Sequence, residues 1–320
     1  MHRRGDLIAQ QDCLIGLACR DMVPLCDAGR LGLSGEHACN PEHPWCAAPS
    51  LQDRAYREWA ECSIPENLDF KSVIPIPRLP ACIWNLSARE KLDDSGGHRV
   101  VAAKLTDIGG ILSKNGPKLA AWRQSYGISS ATALLVHQES LDRLQERLGV
   151  AAGDQDFFDH LRLLGGRIVF VSPGYSVYDD GSMCPVRQVL NMRRSLHEAS
   201  RANRAGLPAI PTLGWNARRP EDLEFLADWL KRQGRYVRTL AVNAQTGTSS
   251  NALGLALGSG MVELERLADS SFHWVVFGGR KKVEAICEFL PRSRITQVSR
   301  PKDFTGIDVQ AAIVSTLHLS

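Results

Sequence analysis

No run in the 320 residues approaches the roughly 18 consecutive apolar residues of a membrane-spanning helix, so no membrane span is predicted. The start, Met1-His2-Arg3-Arg4-Gly5-Asp6, leads into only Leu7, Ile8 and Ala9 before Gln10 and Gln11, and the apolar core of a secretory leader is missing as well. Cysteine is scarce along most of the chain, with only Cys82, Cys184 and Cys287 after residue 62. No glycine pattern for a nucleotide cofactor is recognisable. What is present is ordinary for a globular protein: 44% hydrophobic, 23% charged and 7% aromatic residues, which excludes a disordered or fibrous chain. The expectation is a cytoplasmic protein with no membrane partner.

The other six cysteines, Cys13, Cys19, Cys26, Cys39, Cys46 and Cys62, crowd the start of the chain. Charge divides at the same place. Residues 1–70 carry 6 Lys+Arg against 11 Asp+Glu, and the remainder carries 32 against 24. Two domains are therefore predicted, an acidic cysteine-rich head over 1–70 and a mildly basic body over 71–320. Cytosolic thiols stay reduced, so a cluster of them points to metal rather than disulfides. Cys19, Cys26, Cys39 and Cys46 are spaced C-x₆-C-x₁₂-C-x₆-C, with Cys13 and Cys62 outside them. Four thiolates from two loops suit tetrahedral zinc or an iron–sulfur cluster, and the spacing does not choose between the two. The loop Cys39-Asn40-Pro41-Glu42-His43-Pro44-Trp45-Cys46 has too few aliphatic residues to pack alone, which favours a metal-organised fold.

In the body, short β-branched or apolar runs alternate with segments of helical period. Eight such runs are found, at 72–76, 99–105, 131–137, 167–172, 208–213, 237–243, 273–277 and 294–298. The clearest helices are 185–205 and 220–233, the second opening on Pro220-Glu221-Asp222 and ending before Gly234. Eight βα units in this length predict a (β/α)₈ barrel of the TIM type, with a doubly wound open sheet as the alternative.

A barrel carries its active site on the loops after its strands. Those loops hold Asp107, His137, Tyr175, Ser176, Asp179, Asp180, Trp215, Asn216, Asn243 and Gln245. The sharpest local signal is Phe277-Gly278-Gly279-Arg280-Lys281-Lys282 after the seventh run: two glycines let backbone amides approach an anion, and three cations follow. In this fold the loops after strands seven and eight are the frequent phosphate cradle, which adds Ser299 after the eighth run. The stiff junction of Pro75, Pro77 and Pro80 predicts a head folded over these loops.

The stretch from Val171-Ser172-Pro173-Gly174-Tyr175-Ser176-Val177-Tyr178-Asp179-Asp180, through Gln188, Asn191, Arg193 and Arg194, to Gly206 and Ile210-Pro211-Thr212-Leu213-Gly214-Trp215 resembles a bacterial and phage family. That family is catalogued as a domain of unknown function, number four-four-one-seven. The match runs over about 50 residues, more loosely to Gly279, and leaves out the cysteine head. The family's acid after Ser-Pro is Gly174 here, so Asp179 or Asp180 would supply any carboxylate. The resemblance implies a fold, a site region and a mobile-element or phage-related origin, and no activity.

These features point to an enzyme acting on a phosphate-bearing substrate, a small molecule or a nucleic acid. Asp179, Asp180 or Asp107 would be general base or nucleophile and His137 a proton carrier. Tyr175, Ser176, Asn191, Arg194, Trp215, Asn216, Asn243 and Gln245 would hold substrate, and Gly278, Gly279, Arg280, Lys281 and Ser299 the phosphate. Base exchange on nucleic acid is a specific variant, since tRNA-guanine transglycosylases also combine a barrel, a carboxylate and a cysteine metal site. Here the cysteines precede the barrel and that family's motifs are absent. The competing readings are a metal-containing nucleic-acid- or partner-binding protein using a stripe of Arg193, Arg194, Arg201 and Arg204, and an iron–sulfur redox protein.

Overall fold

The computed structural model describes residues 68–86, 100–105, 108, 117–138, 157–175, 177, 185–245 and 251–300. Its strands are β1 (Cys82–Leu86), β2 (Val100–Lys104), β3 (Ala133–His137), β4 (Ile168–Val171), β5 (Ala209–Ile210), β6 (Thr212–Leu213), β7 (Thr239–Asn243), β8 (His273–Phe277) and β9 (Ile295–Ser299). Between them lie helices α1 (Pro117–Ser125), α2 (Phe157–Arg162), α3 (Pro185–Arg204), α4 (Pro220–Gln233), α5 (Asn251–Ala268) and α6 (Arg280–Ile286). Every strand pairing is parallel, in the order β5-β4-β3-β2-β1-β9-β8-β7-β6.

The two ends of that order are consecutive in the chain. β5 pairs with β4 and β6 with β7, and only Pro211 separates them. Proline has no N–H for a ladder, so one extended segment is split into two short strands. The sheet is thus all but closed into an α/β barrel, and the open alternative is set aside. Pro211 still accepts a bond from the Ala241 amide at 2.9 Å, and the Ser172 amide donates to the Ile210 carbonyl at 3.0 Å.

Alternation along the strands separates two cores. Ile83, Ala102, Leu135, Val169, Ala241 and Val275 belong to the cluster inside the barrel. The opposite parity, including Val101, Leu134, Phe170, Leu240 and Trp274, packs under the helices.

The first strand differs from the sequence expectation. Residues 72–76 form no strand, because the prolines at 75 and 77 remove two ladder donors, and Cys82–Leu86 pairs with β2 and β9 instead. The segment before it seals the N-terminal end of the barrel. Ile76 and Leu79 pack against the interior cluster, and the Pro80 carbonyl accepts from Thr296 Oγ1 at 2.8 Å. Further back, Lys71 and Ser72 donate through their amides to Asn203 Oδ1 at 2.9 and 3.2 Å, and Leu68 accepts from Trp229 Nε1. Leu68 and Phe70, assigned above to the head, are therefore part of the barrel's outer core. The junction runs across the end opposite the strand C-termini. The rest of the head lies outside the described residues, among them the six cysteines at 13, 19, 26, 39, 46 and 62.

Candidate functional site

Continuing the interior rows toward the C-terminal end gives Asn85, Lys104, His137, Thr212, Asn243 and Phe277, with apolar Val171 on β4 and the exposed Arg300 just past β9. The layers below are aliphatic, so the interior turns polar and charged at the mouth. The N-terminal end also has polar interior groups, but they are closed off: His273 Nε2 meets Thr296 Oγ1 at 2.8 Å, and Thr296 is bonded to Pro80.

At the mouth, His137 is fully buried. Its Nε2–H donates to Asn85 Oδ1 at 2.9 Å, and its ring lies 4.6 Å from that of Phe277 on the far side of the barrel. Burial, with the Lys104 charge beside it, holds its pKa down at about 3. Its charged form is disfavoured, and the hydrogen bond to Asn85 fixes the ring in place.

Lys104 is the residue that sequence reasoning missed. It stands beside His137 in the β2–β3 register and is half-buried. No carboxylate among the described residues pairs with it. The signal was present in the alternation Val100, Ala102, Lys104, which puts the lysine on the interior face once Ala102 is placed there.

The phosphate motif is brought together in part. Gly278, directly after β8, is in close contact, since a Cβ there would lie 2.9 Å from the Ala244 Cβ, whereas Gly279 faces open space. Ser299 Oγ donates to the Gly278 carbonyl. Arg280 is turned to Glu284 at 2.6 Å, and Lys282 Nζ donates to the Ala244 carbonyl at 2.6 Å. Lys281 is exposed.

The substrate-binding candidates on the β4 and β6 loops fall into a buried, bonded cluster. The Tyr175 ring is covered by the Arg194 guanidinium at 4.0 Å, and its amide donates to Ser195 Oγ. Trp215 packs on α5 at Gly260, where a Cβ would come within 2.3 Å of Nε1. Both rings are buried, so neither offers a face for stacking. Asn216 Nδ2 donates to Gln188 Oε1 at 3.0 Å, and Asn216 Oδ1 accepts from the Arg218 amide at 2.9 Å, which makes it a loop organiser. Asn191 is buried and its carbonyl accepts from Ser195. Asn243 Oδ1 accepts from the Gln245 amide, and Gln245 is exposed. Asp107, Ser176, Asp179 and Asp180 lie outside the described residues.

The arginine stripe of α3 is not a solvent-facing surface. Arg193 and Arg194 are buried against Phe225 and Tyr175, and Arg201 pairs with Glu198 at 3.4 Å. Only Arg204 of the four is exposed. Among the described residues no group of three His, Cys, Asp or Glu side chains is placed to hold a metal ion, and no helix is long and apolar enough to cross a membrane. No family model matches the chain, and no curated protein matches it.

Proposed function

We propose that this protein is an enzyme acting on a phosphate-bearing substrate, a nucleotide-like small molecule or a nucleic acid, at the C-terminal mouth of its barrel. The observation that supports this reading is the change of the interior from aliphatic layers to the polar layer of Asn85, Lys104, His137, Thr212 and Asn243 at that end. This fold carries its chemistry at the C-terminal end of the strands, and a polar, charged last layer there supplies hydrogen-bonding groups and a cation where a ligand would arrive. The open position of Gly279 beside that layer gives a phosphate room to approach backbone amides.

We infer in addition that the cysteine head carries zinc or an iron–sulfur cluster, on the spacing of Cys19, Cys26, Cys39 and Cys46. The reaction class depends on which carboxylate serves, Asp107, Asp179 or Asp180. Screening the purified chain against phosphomonoesters, nucleotides and short single-stranded RNA and DNA tests the enzyme reading. Turnover that vanishes in Asp179→Asn with binding intact supports it. Steeply salt-dependent binding with no turnover in any Asp variant would instead fit a nucleic-acid binder.

A further inference from the structure

We infer that Lys104 is the anion-binding residue of the mouth, its ammonium holding the phosphate group of the substrate. This rests on the mouth being the site of a phosphate-bearing substrate, and it moves the phosphate contact from the loop cations to strand β2. The position comes first. Val100 and Ala102 of the same strand belong to the interior cluster, so Lys104 is the next residue facing inward, at the strand's C-terminal end. A lysine on a strand is held by the ladder, with β2 and β3 in register through Lys104 and His137.

Charge comes second. The neighbours in the layer are Asn85, Thr212, Asn243 and Phe277, none of which ionises, and His137 stays neutral. No described carboxylate pairs with Lys104, so within the strands it is the layer's one cation, with the exposed Arg300 just past β9 as a second at the rim. A half-buried ammonium that faces the mouth with no described counter-ion is placed to take an anion from outside. Of the three cations of the Gly278–Gly279 motif, Arg280 is engaged with Glu284 and Lys282 with the Ala244 carbonyl, and Lys281 is exposed. A phosphate seated on Lys104 would be flanked by the side-chain amides of Asn85 and Asn243, which donate hydrogen bonds without adding charge.

The test is calorimetric titration of the full chain with inorganic pyrophosphate, comparing wild type with Lys104→Met, Lys104→Arg, the pair Arg280→Ala/Lys281→Ala, and the exposed surface variant Lys231→Met as control. The expected result is pyrophosphate binding that weakens about tenfold or more in Lys104→Met, as loss of a charge-assisted contact implies, and is partly kept in Lys104→Arg. Lys104→Met should melt no lower than wild type, because it removes an uncompensated charge. Unchanged affinity in Lys104→Met overturns the proposal. Affinity lost in Arg280→Ala/Lys281→Ala and kept in Lys104→Met overturns it too, while leaving the phosphate-bearing substrate in place with its seat in the loop. Absence of pyrophosphate binding by wild type removes both. Trace acetylation of the wild-type chain reads the same contact without any substitution: pyrophosphate should slow modification of Lys104 several-fold, and an unaltered rate is a second overturning result.

Discussion

Thr212 and Ser172 exchange two hydrogen bonds across the break in the barrel, the Thr212 amide donating to Ser172 Oγ at 2.8 Å and Thr212 Oγ1 to the Ser172 carbonyl at 2.5 Å. Pro211 splits the strand that closes the sheet, and the serine hydroxyl accepts the amide just beyond the split. Both residues are buried, so the Thr212 amide has no water to turn to. Ser172→Ala should destabilise the protein by about 1–3 kcal/mol, the cost of a buried donor left without an acceptor. Urea unfolding measures this, with Thr212→Val as the second corner of a double-mutant cycle. Additive effects of the two changes would show that the pair does not hold the closure together.

Most of the barrel was legible because strands here obey local rules. The run 273–277 coincides with β8, and 131–137 and 237–243 contain β3 and β7 whole. The helix expected over 220–233 coincides with α4. The first strand was misplaced because the apolar residues of this proline-rich stretch serve another end: Ile76 and Leu79 pack against the end of the barrel interior, where side chains matter and ladder donors do not, and Val73 is exposed. The true β1, Cys-Ile-Trp-Asn-Leu, reads as mixed because one of its faces ends in the polar mouth at Asn85. The site was only half legible for a related reason. Loop residues such as Tyr175, Trp215 and Asn216 carry the chemistry-rich side chains, yet tertiary packing turns them into core rings and loop anchors. Lys104 was hidden at the end of a run that looked merely apolar.

Two glycines with opposite surroundings give a paired test. At Gly260 an added Cβ would meet the Trp215 ring at 2.3–2.7 Å, whereas at Gly279 nothing lies within 4 Å and φ is −71°. Alanine is the better helix former by about 1 kcal/mol, so Gly260→Ala would stabilise α5 if space allowed. Overpacking against a buried ring should outweigh that, and a net loss of about 1–3 kcal/mol is expected. Gly279→Ala should leave the melting temperature unchanged or slightly raised. Equal stability of the two variants would mean that Trp215 does not press on α5. A fall in pyrophosphate affinity confined to Gly279→Ala would mark that backbone as one the ligand approaches closely.

The head makes its own prediction, independent of the barrel. If Cys19, Cys26, Cys39 and Cys46 hold a metal, anaerobically purified protein should contain about one zinc ion or one cluster per chain, and Cys39→Ser should lose most of it. A brown colour bleached by dithionite would identify iron–sulfur, and a colourless protein with stoichiometric zinc would identify a structural site. Removal by a chelator should unfold the head and leave the cooperative unfolding of the barrel in place, since Leu68 and Phe70 already anchor the junction to α4. Metal-free wild type that unfolds no differently after chelation would reject the metal assignment.

His137 should report its environment through pH. Its pKa in the fold is about 3, against 6.5 for a free imidazole, so the unfolded chain takes up a proton that the folded one refuses. The sign follows from linkage: stability is fully present above about pH 6.5 and declines as pH falls toward 3, by about 1.4 kcal/mol per pH unit for this one group. His273, lowered by burial and by Arg294 and Arg292, acts in the same direction, so the wild-type curve alone does not isolate His137. The difference between wild type and His137→Gln does, because a glutamine can still donate to Asn85 and does not titrate. That difference should be constant above pH 6.5 and should shift against wild type through pH 6, 5 and 4. The imidazole C2–H resonance of His137 should stay flat between pH 5 and 8. An inflection near 6.5 would mean that the ring meets water, and the neutral imidazole beside Lys104 would no longer stand.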